Sequence, residues 1–183
     1  STIRHQLRYS KVKILSEKEA IQRLDKLKTK YRQNIAKNYE SKAKDCLTCE
    51  TRGACCLDAH FVNVHITRLE AIAMRKVLDE LDEVKQLEIN QRISNTIEKY
   101  NLKDSGDTFA QTFACPLFEK GIGCLVHSVK PVPCIQHACY KHQEDLPPDE
   151  LQEGAEQKIE RLNQQTYGNS KWLPLPIWLE KLK

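Results

Sequence analysis

No apolar run in this sequence approaches the ~20 residues that a membrane-spanning helix needs, so no helical span and no membrane role is expected. The first residues, Ser1-Thr2-Ile3-Arg4-His5, lack the apolar stretch of a secretion signal. The expectation is a cytoplasmic chain in a reducing compartment, where structural disulfides are not the ordinary use of cysteine. There are no repeats and no low-complexity tract. Nor is there a glycine-rich phosphate loop. Gly121-Ile122-Gly123 is G-x-G alone, without the third glycine of a dinucleotide fingerprint, and reads as a hairpin turn. A Ser/His/Asp signature is absent, and so is the fingerprint of any known nucleic-acid fold.

What the chain does have is a core's worth of apolar residues and an unusual set of cysteines. Its 183 residues are 40% hydrophobic and 30% charged, a globular composition. The net charge of +4 is unevenly spread. Residues 1–44 hold thirteen Lys and Arg against four acids, and the remainder is slightly acidic. Such a basic first quarter suits either a solvated helix face or a contact surface for an acidic partner. A nucleic-acid role would rest on this arm alone and is not expected.

Ser16-Glu17-Lys18-Glu19 has the capping-box pattern, and Ile21, Leu24, Leu27, Tyr31, Ile35 and Tyr39 follow at helical spacing. This predicts a helix to about Ala43. Residues 60–66 are short and β-branched and predict a brief strand. Thr67-Arg68-Leu69-Glu70 is a second capping box, opening a helix to about Leu81. Another helix is expected over 84–100, and a last one from Pro147-Pro148-Asp149 to about Gln165. The apolar tail from Trp172 to Leu182, interrupted by prolines, is expected to pack back onto the body. The fold class is therefore mostly α, with two irregular cysteine-rich segments organised by metal and at most a short strand or hairpin. Three parts are expected: a basic arm and helix (1–44), a cysteine-cluster metal-binding domain (45–140), and a C-terminal helix with its tail (141–183).

The cysteines fall into two groups of four. Cys46, Cys49, Cys55 and Cys56 lie in a stretch without periodicity; Cys115, Cys124, Cys134 and Cys139 lie among Pro116, Gly121, Gly123, Pro131 and Pro133. Clustered thiols in breaker-rich segments are the pattern of a metal site. Thiolates select zinc, copper(I) or iron–sulfur clusters over hard cations. Cys46-x2-Cys49 lets two thiolates reach one ion from a tight turn. The neighbours Cys55-Cys56 tend to point apart, which suits two separate metals or different irons of one cluster. All eight are taken as candidate metal ligands. His60, His65, His127 and His137 lie within or beside the two groups and could add nitrogen donors. Asp58 could orient a ligand from outside. Cys134 with His137 could instead form a thiol–base pair. Each cysteine segment alone is too irregular to bury its thiolates, so the two are expected to meet in space across the helices of residues 67–100.

At these cysteines the chain resembles the YkgJ-type cysteine-cluster family of zinc- or iron-chelating proteins. The resemblance is carried by Cys46, Cys49 and Cys55-Cys56, then Val64-His65-Ile66-Thr67. It continues with Cys115-Pro116-Leu117-Phe118, Gly123-Cys124-Leu125-Val126-His127, Lys130-Pro131-Val132-Pro133-Cys134 and Cys139. It covers about residues 45–140 and finds a place for all eight cysteines. His127, Lys130 and Ile135 stand where the family prefers Tyr, Arg and Arg. The resemblance implies metal chelation by the cysteines and says little of chemistry.

Three functions fit. The first is an iron–sulfur protein, with one [4Fe–4S] cluster, in a redox or accessory role beside a protein partner. The second is a zinc-stabilised structural or binding module, with the basic arm as its contact surface. The third is a metalloenzyme with an open metal position.

Overall fold

The computed structural model describes residues 13–44, 50–51, 53–59 and 62–183. The candidate ligands Cys46, Cys49 and His60 lie outside the described residues. The architecture is mostly helical, with seven α-helices and two small two-stranded sheets among the described residues.

Helix α1 (Glu17–Asn38) begins where Ser16 Oγ accepts the Glu19 N–H. The reciprocal half of the box is not made, because the Glu19 carboxylate turns to Arg23 at 2.6 Å. A 3₁₀ turn, Glu40–Lys42, prolongs it. Helix α2 (Ala54–Leu57) is a single turn. Strand β1 spans His65–Ile66; of the 60–66 expectation, residues 60 and 61 lie outside the described residues and 62–64 are not part of the strand. Helix α3 (Arg68–Leu78) opens with the full capping box of Thr67 and Glu70. Helix α4 (Glu83–Lys99) starts at Asp82, which accepts the Lys85 N–H. Strands β2 (Phe118–Glu119) and β3 (Gly123–Cys124) pair antiparallel around Gly121. That is the expected hairpin, with Gly121 at φ +83°, a backbone region open to glycine.

Helix α5 (Val132–Gln136) and helix α6 (Asp149–Tyr167) follow. Strand β4 (Leu173–Pro174) pairs antiparallel with β1, His65 opposite Pro174. Helix α7 (Leu175–Lys181) completes the order. Pro174 and Pro176 flank its first residue, where a missing N–H costs nothing. In the tail the prolines therefore start a helix.

Two apolar clusters hold these elements. One gathers Ile66, Met74, Ile89, Ile93, Phe113, Leu117, Val126 and Leu179, from α3, α4, the cysteine loops and α7. The other gathers Leu24, Tyr31 and Ile35 of α1 with Leu69 and Ala73 of α3, Ile135 of α5, and Ile159 and Leu162 of α6. Helix α1 thus shares a core with residues from all the later parts, and the α6–α7 region does the same. No helix among the described residues is long and apolar enough to cross a membrane.

Candidate metal centre

The first cysteine segment enters through Gly53, held at φ +81° against the face of the Phe118 ring. A Cβ on Gly53 would fall 2.0 Å from Phe118 Cζ, so the close approach requires glycine. The α2 turn that follows carries Cys55 and Cys56. Their segment is joined to the second by a backbone hydrogen bond, Cys115 N–H to the Cys56 carbonyl at 2.8 Å. Phe113 N–H likewise donates to Val62 O at 2.9 Å, and within the second segment Leu125 N–H donates to Leu117 O at 2.9 Å. The segments meet, as their irregularity requires.

The meeting point is a cavity of about 310 Å³. Cys55 and Cys56 of α2, Cys115 of the loop before β2, Cys124 of β3 and Cys134 of α5 all line it. His137, just past α5, and Lys130 also reach it. The remaining wall is largely apolar, with Val62, Val64, Phe113, Leu117, Val126 and Leu175; among the described residues no carboxylate lines it. These are soft donors in an apolar shell. All five cysteines are free thiols. Among the described residues, no three His, Cys, Asp or Glu side chains form a ready-made group around a single ion.

Burial governs the thiols' protonation. It pushes the Cys56 thiol up to about 12, with Cys55, Cys115 and Cys124 adding to the rise. It pushes Cys115 up to about 11, although hydrogen bonds from the Leu117 and Phe118 backbone pull the other way. Cys115 is surrounded by protein, yet the cavity leaves part of its surface accessible. Burial also raises Cys124 and Cys134, and three neighbouring thiols raise Cys134 further while Lys130 opposes. Several thiolates here would repel one another in a poorly solvated space, and a bound cation removes that cost. A nucleophilic cysteine needs the opposite shift. Cys134 is therefore a poor free nucleophile in the metal-free protein, despite His137 nearby.

Other candidates are placed elsewhere. Cys139 is exposed and does not line the cavity; its carbonyl accepts the Lys44 N–H at 2.7 Å, beside the Ala43–Tyr140 bridge. His127 is exposed on a 3₁₀ turn, its pKa lowered first by Lys130 and then by burial. His65 is buried with its ring stacked on Phe109 and does not line the thiol cavity. Asp58 borders a separate groove with Phe118 and the hairpin turn.

Sequence reasoning missed the side chains that hold the cysteine loops in place. On α1, Lys28 is buried in an ion pair with Glu70, 3.0 Å long, their side chains 4% and 2% exposed. Lys28 Nζ also donates to the Val129 carbonyl at 3.1 Å. Arg32 donates to Ser128 O at 3.0 Å, and Tyr31 bonds Gln136. Three residues of the basic helix thus clamp the segment carrying Cys134. On α4, Arg92 does the same for the other loop, through the Pro116 carbonyl and Glu119. The cationic face of α1 is largely exposed, as at Lys18, Arg23, Lys26, Lys30 and Lys37, but Lys28 departs from it and belongs to the buried side. The available signal was register, since Lys28 falls four residues after Leu24 on the apolar stripe.

No family model, curated protein or solved structure matches the chain.

Proposed function

We propose that the protein is a metal-binding cysteine-cluster protein whose central cavity holds an iron–sulfur cluster in a redox or accessory role. One observation carries the reading: five cysteines from four separate stretches of chain line the same cavity, whose other described walls are largely apolar and hold no carboxylate. Soft thiolates in that number suit iron–sulfur or zinc and do not suit calcium or magnesium. A cavity of about 310 Å³ is far larger than one ion requires and leaves room for a polynuclear cluster. Four thiolates suffice for a [4Fe–4S] core. The cavity offers a fifth sulfur, and His137 stands at its rim as an imidazole donor. Cys46, Cys49 and Cys139 remain candidate ligands of a further site. When bound, the cluster would supply one-electron chemistry. The chain's own part is to exclude water with Val62, Val64, Phe113 and Leu117, and to place the Lys130 charge beside the sulfurs.

The deciding experiment is purification without oxygen, followed by absorption spectroscopy with iron, sulfide and zinc analysis. A brown protein with a broad band near ~400 nm and stoichiometric iron and sulfide is expected. A colourless protein containing zinc would replace the cluster with a zinc–thiolate site and make the protein a structural or binding module.

A further inference from the structure

The soft donors that line the thiol cavity are not equivalent. Cys55 and His137 are exposed, while Cys56, Cys115, Cys124 and Cys134 are half-buried. The division separates chain neighbours. Cys55 and Cys56 are consecutive on α2, and His137 follows Cys134 by three residues, just past α5. Consecutive residues of a helical turn project about 100° apart. Only one of Cys55 and Cys56 can therefore point into the cavity's interior, and their exposure shows that Cys55 is the one left at its edge.

Backbone contacts fix the four inner thiols relative to one another. The Cys115 N–H donates to the Cys56 carbonyl at 2.8 Å. Cys124 stands opposite Phe118 in the β2–β3 hairpin, which begins three residues after Cys115. Cys134 lies in the first turn of α5, its N–H donating to the Pro131 carbonyl at 3.0 Å, and Tyr31 of α1 holds Gln136 at the end of that helix. The four sulfurs also lie within electrostatic reach of one another. Cys115 and Cys124 act on Cys56, Cys124 acts on Cys115, and Cys115, Cys124 and Cys56 all act on Cys134. Cys55 acts on Cys56 and is not among the main influences on Cys134. Burial disfavours uncompensated thiolates at the four inner positions, where a bound cation relieves the cost. At the exposed Cys55, water already solvates the charge.

We propose that Cys56, Cys115, Cys124 and Cys134 are the ligands of the centre in this cavity, and that Cys55 and His137 stand at its edge without ligating. Four sulfurs are the number that a [4Fe–4S] core takes, and also the number of a closed tetrahedral zinc site. The assignment rests on the reading of the cavity as a metal site and goes beyond it by naming the ligands. It leaves Cys55 as a free, solvent-facing thiol beside a loaded centre.

The full chain and its single variants, purified without oxygen, are compared by iron, sulfide and zinc per chain. Cys56→Ser, Cys115→Ser, Cys124→Ser and Cys134→Ser should each lose about half of the metal or more, and Cys55→Ser and His137→Ala should keep roughly the wild-type content. A buried serine can also unfold the chain, so the wild-type protein is alkylated with iodoacetamide in parallel, before and after removal of the metal by a chelator. Peptide mass spectrometry gives the rate at each cysteine. Chelation should speed alkylation of each of the four by about tenfold or more and leave Cys55 within about twofold of its loaded rate, which separates metal protection from burial. Loss of half the metal in Cys55→Ser or His137→Ala overturns the assignment. So does full metal in any of the four serine variants, or chelation that speeds Cys55 as much as the four. Zinc in place of iron and sulfide removes the cluster and leaves the ligand set to be judged by the same comparisons. A wild-type chain that holds no metal overturns both.

Discussion

Gly53 packs against Phe118 at the start of the turn that carries Cys55 and Cys56. The glycine sits in a left-handed conformation with the ring against its α-carbon, and a methyl group there has no room. Gly53→Ala should cost about 2 kcal/mol of stability through backbone strain and overpacking. It should also lower the metal bound per chain, which elemental analysis alongside a denaturant melt would show. Cys115→Ser tests the cavity from the opposite segment. Loss of most of the bound metal is expected if the cavity is the metal site, because this sulfur lines it together with Cys55, Cys56, Cys124 and Cys134. The cysteines were legible in the sequence as soft donors in two groups. Which of the described cysteines share one cavity was not, because that depends on contacts such as Gly53 with Phe118, made by residues 65 positions apart.

At the scale of elements, the helices were legible because their caps and apolar spacing are local. Ser16, Thr67 and Asp82 each cap a helix through their own side chains. Over the described residues 62–66 strand β1 is shorter than its β-branched pattern suggests, since its partner is Leu173–Pro174 and no local pattern announces so distant a pairing. The role of α1 escaped for a similar reason: a buried lysine reads as any other lysine until Glu70 and Val129 are brought to it. Lys28→Met should destabilise by about 3–5 kcal/mol, leaving Glu70 buried and unpaired. Lys28→Met with Glu70→Gln should recover part of that loss, since a neutral amide can still accept the Thr67 N–H. Thermal melts of both variants give the comparison. Strand β1 also carries a pH response. The His65 pKa is depressed below 6.5 in the folded chain, so its contribution to stability is present above that value and is lost as pH falls through the folded pKa. Wild type should therefore lose more stability than His65→Asn between pH 7 and about pH 5.

For the molecule as a whole, the two apolar clusters tie the helices together, and the clamps on the cysteine loops, from Lys28, Tyr31, Arg32 and Arg92, involve no candidate metal ligand side chain. Chelation should then lower the melting temperature while leaving most of the helical circular dichroism of the cold protein in place. Complete loss of helix on chelation would mean that the clusters alone cannot hold the fold. The centre draws on widely separated parts of the sequence. Its sulfurs span residues 55 to 134, and its wall is closed by Leu175, whose N–H donates to the Val64 carbonyl at 3.0 Å. A ribosome releases these pieces one after another, and the first cysteines emerge more than a hundred residues before the segment that closes over them. If the cavity holds metal as proposed, insertion follows synthesis of the chain through Leu175, and until then the nascent chain would carry unprotected thiols.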